Sequence, residues 1–168
     1  LVTACASIYK SLECALEIAD ALNSPQHHWQ QARETLGDCL RNKPYCFDRT
    51  WESKERFSMD WFYPVLAGIY SQEEAQQRLQ QRWHFFVEET VGCRCVSDEP
   101  WVTIAESCEL TLALVSIGEN EKAEKIFTQL QRWQDEDRGY WTGFNFRDQV
   151  IWPDEKTSWT AGAVLLAA

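Results

Sequence analysis

The sequence predicts an all-α fold of helical hairpins arranged in two layers. Three segments open alike: Asp60-Trp61, Pro100-Trp101 and Ser158-Trp159 each end a polar, aromatic loop and begin an apolar run. Connections between the predicted helices alternate short and long. The odd-numbered helical runs are apolar nearly all round, whereas the even-numbered ones keep a polar face. One hairpin cannot bury its own apolar face, so a repeat of hairpins implies stacking. Antiparallel helices alternate ends, which places every long loop at one end of the assembly. Inner apolar helices, outer amphipathic helices and loops elaborated at one end describe an α/α toroid or a curved part of one. The unequal spacing of the inner starts at Asp60, Pro100 and Ser158 argues against an open solenoid. The seventh helix has no partner, which predicts one domain over residues 1–168 that is part of a longer toroid.

The first helix is expected from Leu1 to Leu22, where Cys5, Ile8, Leu12, Ala15 and Ala19 recur at helical spacing. Ser24 and Pro25 read as the N-cap and first position of a second helix, which runs to Arg41. After a loop over 42–59, a short apolar helix runs from Asp60 to Tyr70, with Pro64 at its start or at a kink. Ser71 and Glu74 have capping-box spacing and open a fourth helix to Val87. A second loop covers 88–100. The fifth helix runs from Trp101 to Ile117, where Gly118 stops it. The sixth, Asn120 to Trp133, alternates apolar and charged residues as an outer helix does. A third loop, 134–157, has a turn signal at Gly139–Gly143, and the seventh helix begins at Ser158.

A chain of 168 residues supports one core. The net charge of −10 and the lack of a basic stripe exclude a nucleic-acid surface. No apolar run approaches the roughly 18 residues that span a bilayer, and Leu1 lies in an amphipathic pattern rather than a signal peptide. The seven cysteines are odd in number and four of them sit in helical patterns, which points to a reducing, cytoplasmic setting. Aromatics at 13% imply large cores or an aromatic-lined cavity, plain packing being the simpler account.

Loops on a rigid scaffold carry function, so a site is expected at the long-loop end. On the fifth helix Ile104, Ala105, Cys108, Leu112 and Val115 form one expected packing stripe, with Thr103, Glu106, Leu110 and Ala113 opposite. That arrangement turns Glu106 to the lumen, where an apolar setting raises a carboxyl pKa and suits it to general acid or base work. Asp98 or Glu99 is the complementary candidate, as glycosidase-type chemistry requires. The competing reading has Asp98 capping a helix, and Glu106 and Glu109 bonding to neighbouring helices or loop amides. Cys93-x-Cys95 lacks the histidine partners of a zinc site, so no metal is expected, and the sequence leaves the cofactor unknown. The run Asp135–Arg138 reads as a solvated turn, with Mg²⁺ against a diphosphate as the alternative. Trp141, Phe144, Phe146 and Trp152 either line a cavity or pack the loop on the rim.

Four stretches carry a resemblance: Met59-Asp60-Trp61-Phe62-Tyr63-Pro64-Val65-Leu66, Cys93 through Thr103, Tyr140-Trp141-Thr142-Gly143, and Trp152 through Thr160. Together they resemble a bacterial group of prenyltransferase-like proteins in the terpenoid cyclase/prenyltransferase α/α-toroid superfamily, over roughly residues 59–168. Gln134…Gly139-Tyr140-Trp141 is similar to the cyclases' Gln…Gly-x-Trp signature but one residue too long. The cyclases' Asp-rich motif and the protein prenyltransferases' zinc ligands have no match. The resemblance implies a transferase acting on an isoprenoid or lipid-linked small molecule in an aromatic lumen. Glu106, Asp98 and Glu99 would then be the acid/base groups, and Trp61, Trp101, Thr103, Trp141 and Trp159 the substrate-binding residues. The alternative is a carbohydrate-active or carbohydrate-binding toroid, in which the same tryptophans stack on sugar rings. A non-catalytic scaffold is the third reading.

Overall fold

The computed structural model describes residues 1–168 and contains seven α-helices: α1 (Val2–Ala21), α2 (His27–Asn42), α3 (Ser58–Leu66), α4 (Gln72–Phe86), α5 (Ile104–Ser116), α6 (Asn120–Leu130) and α7 (Ser158–Ala167). The chain is mostly α. Two small antiparallel sheets qualify the all-α expectation. One pairs β1 (Val87–Glu88) with β2 (Gly92–Cys93). The other has the order β3 (Trp101–Thr103), β4 (Gly143–Asn145), β5 (Val150–Ile151). Along the chain the odd helices pack side by side, α1 on α3, α3 on α5 and α5 on α7. Each even helix packs on the odd helix before it.

Local chemistry sets the ends of several helices. At α4 the Ser71 hydroxyl accepts from the Glu74 N–H while the Glu74 carboxylate accepts from the Ser71 N–H, closing the expected capping box. Gly118 follows α5 at φ +78°, a left-handed conformation that favours glycine. At α2 the expectation fails: Gln26, not Ser24, is the N-cap, and no side chain caps it. Helix α7 is capped by Thr157, whose hydroxyl accepts from the Thr160 N–H at 3.1 Å.

Helix α3 begins at Ser58, two residues earlier than expected, and Pro64 lies inside it. Proline has no N–H, so the Asp60 carbonyl four residues back loses its helical donor. Arg78 of α4 supplies the replacement: its Nη2 donates to the Asp60 carbonyl at 2.8 Å and its Nε to the Trp61 carbonyl at 2.8 Å. The Trp61 indole N–H returns a bond to the Arg78 carbonyl at 3.0 Å. The break at Pro64 therefore becomes the α3–α4 lock, and the largest core cluster forms around it from Trp61, Phe62, Phe86, Leu110 and Leu114.

The three long loops join one another. Phe57 bridges to Val96, and the Ser58 N–H donates to the Cys95 carbonyl at 2.9 Å. Pairing of β3 with β4 ties the second loop to the third. That pairing also corrects the start of the fifth helix. Trp101–Thr103 is extended because partners distant in sequence supply its backbone bonds, and the helix begins at Ile104.

The three opening tryptophans are consequently not equivalent. Trp61 is the fourth residue of α3 and fully buried, Trp101 lies on a strand, and Trp159 sits at the start of α7, 63% exposed. No ring contact joins them: Trp61 stacks on Phe86 and Trp101 meets Trp152 edge-on, each at 5.0 Å.

Replacing Arg78 by Ala is expected to lower unfolding stability by about 2 kcal/mol, the scale of hydrogen bonds from a charged donor. In a Pro64→Ala background the residue at 64 again supplies an N–H to Asp60, so the same change costs less. Urea unfolding of the four proteins of this cycle measures that coupling.

Candidate active site

Helix α5 is enclosed on most sides. Ile104, Ser107, Cys108, Leu110, Thr111, Ala113 and Leu114 are all buried. On the side between α3 and α7, Glu106, Glu109 and Leu112 are only half-buried, three residues apart along one ridge. The expected packing stripe is thus corrected. Leu110 and Ala113, expected opposite the packing stripe on the lumen side with Glu106, are in the core against α3 and α6, while Leu112 and Val115, expected in the stripe, keep open surface.

Between α3, α5 and α7 lies an open cavity of about 360 Å³. Tyr63 and Leu66 come from α3, Glu109 and Leu112 from α5, and Trp159, Gly162, Ala163 and Leu166 from α7, with Ser158 at the edge. One carboxylate oxygen of Glu109, Oε2, is buried with no hydrogen-bond partner. Burial first, and the negative charge of Glu106 second, push the Glu109 carboxyl up to about 7. Tyr63 lies close by: burial chiefly, then the Glu109 charge, raises its phenol above the ordinary value.

Glu106 is held differently. Its Oε2 accepts the Thr103 hydroxyl, so that hydroxyl serves the carboxylate instead of capping α5. Thr103 is fixed in turn. Its carbonyl accepts from the Ser107 hydroxyl at 2.6 Å, and that hydroxyl accepts from the Cys93 N–H at 2.7 Å. Gly92 makes room for this chain, because a Cβ there would stand 2.7 Å from the Ser107 hydroxyl at a φ of +139°.

The cysteines near these carboxylates are protonated thiols. Burial and the Glu106 charge push Cys95 up to about 12 and Cys93 well above its ordinary value. Burial and the Glu109 charge push Cys108 to about 12. All seven cysteines are free, and no group of three or more potential metal ligands comes together. In the acidic turn, Lys156 bridges Asp135 at 2.6 Å and Asp137 at 2.7 Å.

The other residues singled out in the sequence lie elsewhere. Asp98 is exposed and paired with Arg56 at 2.8 Å, a hydrogen bond that holds its carboxyl below the ordinary range. Glu99 is exposed, and neither residue lines the cavity. Trp61 is a core residue with its indole N–H bound. The Trp101 indole N–H donates to the Trp152 carbonyl at 2.8 Å, and Trp141 packs under the Lys156 ammonium at 4.7 Å. Of the five expected binding residues, only Trp159 lines the cavity; Thr103 is buried and bound to Glu106, and neither of these two is a lining residue. Sequence reading gave Glu109 only a packing role and passed over Tyr63, Leu66 and Leu166. For Glu109 the signal was present, since it follows Glu106 at i+3 on the same helical ridge.

No protein-family model matches the chain. The chain is 45% identical, over all 168 residues, to a protein of Mycolicibacterium hassiacum named MMP endo-(1,4)-3-O-methyl-alpha-D-mannosidase. It spans 46% of that protein's length. This relative overturns the prenyltransferase-like and terpenoid-cyclase reading, and with it the transferase assignment: the similar protein is named for glycoside chemistry. The motifs that carried the earlier resemblance lie largely in loop packing and the α3–α4 lock, which report on the scaffold. No helix is long and apolar enough to cross a membrane.

The raised Glu109 carboxyl makes stability depend on pH. Its folded-state value of about 7 exceeds the ordinary 4.5, so folding is penalised as the group ionises. The penalty is absent below the ordinary value, grows between the two and is complete above about 7. Glu109→Gln is therefore expected to stabilise the protein at pH 8, on the order of 2 kcal/mol after discounting for solvent screening. At pH 4 it should be neutral. Urea titrations at both pH values check this.

Proposed function

We propose that this chain forms part of a glycoside hydrolase whose sugar substrate lies on the open face of α3, α5 and α7, with Glu109 as the proton donor to the glycosidic oxygen. The observation that carries the reading is the unpartnered, buried Oε2 of a Glu109 that holds its proton near neutral pH, facing an apolar cavity. A carboxylic acid of that kind is what cleavage of a glycosidic bond asks of its general acid. Burial chiefly, and the neighbouring charge of Glu106 second, keep the proton on Glu109. Trp159, exposed at the mouth, offers a ring face for a sugar to stack on. Asp98, tied to Arg56, and the exposed Glu99 have no part in this proton transfer. The relative's name supports (1,4)-linked 3-O-methyl-α-D-mannose residues as the substrate class.

The helical arrangement belongs, in this reading, to an α/α toroid. The odd helices form its inner layer and the even helices its outer layer, with the knitted loops at one end. Ile8 on α1 and Leu165 on α7 are exposed apolar side chains on the two outermost inner helices. They suit packing against further helices of such a ring, consistent with a relative more than twice as long.

The test is hydrolysis of (1,4)-linked 3-O-methyl-α-D-mannose oligomers by the full-length protein, read by product chromatography. Glu109→Gln is expected to lower kcat at least about 100-fold, the scale of general-acid catalysis. Asp98→Asn should stay within a few-fold of wild type. Activity should fall as pH rises through about 7, because the acid must carry its proton. Binding of oligomers without cleavage would replace catalysis with carbohydrate binding, and silence in both assays would leave a scaffold.

A further inference from the structure

We propose that Leu66, Leu112 and Leu166 form the specificity-determining wall of the α3–α5–α7 cavity, seating an O-methyl group of the substrate sugar against carbon; the inference rests on the glycoside-hydrolase reading above. Six of the nine cavity-lining residues are hydrophobic. The hydrogen-bonding side chains are few: the Glu109 carboxyl, the Ser158 hydroxyl, the Tyr63 phenol and the Trp159 indole N–H, none of them on the leucines. An ordinary sugar ring carries a hydroxyl on nearly every carbon, and each must find a partner when it leaves water. The leucine wall offers none. A hydroxyl pressed there leaves its O–H donor unsatisfied, whereas a methyl ether has no donor to lose and presents a methyl group that gains from burial. The three leucines come from three different helices and share one cavity with the raised Glu109. The wall is thus built into the scaffold and adjoins the proton donor. Leu166 is 75% exposed, so it makes no contribution to the core of this chain. Leu165, beside it, does not line the cavity.

The experiment compares kcat/KM of the full-length protein on 3-O-methylated and unmethylated (1,4)-α-mannose oligomers, for wild type, Leu112→Asn and Leu166→Asn. Wild type is expected to prefer the methylated series by about tenfold or more, the scale of one methyl group in an apolar pocket. Each variant should reduce that preference several-fold while still cleaving the unmethylated series. Leu166→Asn changes an exposed side chain, so its result stands even if Leu112→Asn fails to fold. Equal cleavage of both series by wild type, or an unchanged preference in Leu166→Asn, overturns the inference and leaves the hydrolase reading intact. Cleavage of neither series by wild type overturns the hydrolase reading itself.

Discussion

Everything in this chain is arranged around the enclosure of α5. With α3, α6 and α7 packed on it, that helix keeps a half-buried ridge, of which Glu109 and Leu112 line the cavity. The chain places two glutamates and a leucine on it. A carboxylate in such a position has three ways to lower its cost: a cation, a hydrogen-bond donor, or a proton. Glu106 takes the donor from Thr103. Glu109 has neither cation nor donor at its buried oxygen, so it keeps the proton. The division of labour between two identical side chains follows from where each lies along the ridge.

The loop end fixes this arrangement in place. The extended segment Trp101–Thr103 pairs with β4 and sets the position from which Thr103 reaches Glu106. Gly92, Cys93 and Ser107 then brace Thr103 from behind. On the other flank, the missing N–H of Pro64 draws Arg78 onto α3, which holds the turn carrying Tyr63 and Leu66. Loop pairing and a proline defect therefore brace the two flanks of the helix that carries the carboxylates.

Much of the helical framework was legible before the structure. The Ser71–Glu74 box, the stop at Gly118 and the alternation of short and long connections are local signals, and local signals survive tertiary packing. What was illegible depended on distant partners. Trp101–Thr103 read as a helix start because its strand partner lies some forty residues on. Leu112 and Val115 read as buried because helical periodicity identifies an apolar stripe without saying which neighbours are present to cover it. Glu106 was legible as a carboxylate near the loop end. For Glu109 only the i+3 spacing from Glu106 was legible, since burial without a partner is a property of the packed state. The aromatic motifs led to the wrong chemistry for a related reason: Trp61 and Trp101 have their indole N–H groups bound and stabilise the scaffold.

The most direct measurement is the titration of the Glu109 side chain itself, by ¹³C NMR of its carboxyl carbon with Glu109→Gln for assignment. A midpoint near 7 is predicted, moving down when Glu106 is replaced by Gln because one of its two causes is removed. A midpoint at the ordinary 4.5 would contradict the account, since Glu109 would then be an ionised surface carboxylate with no proton to give.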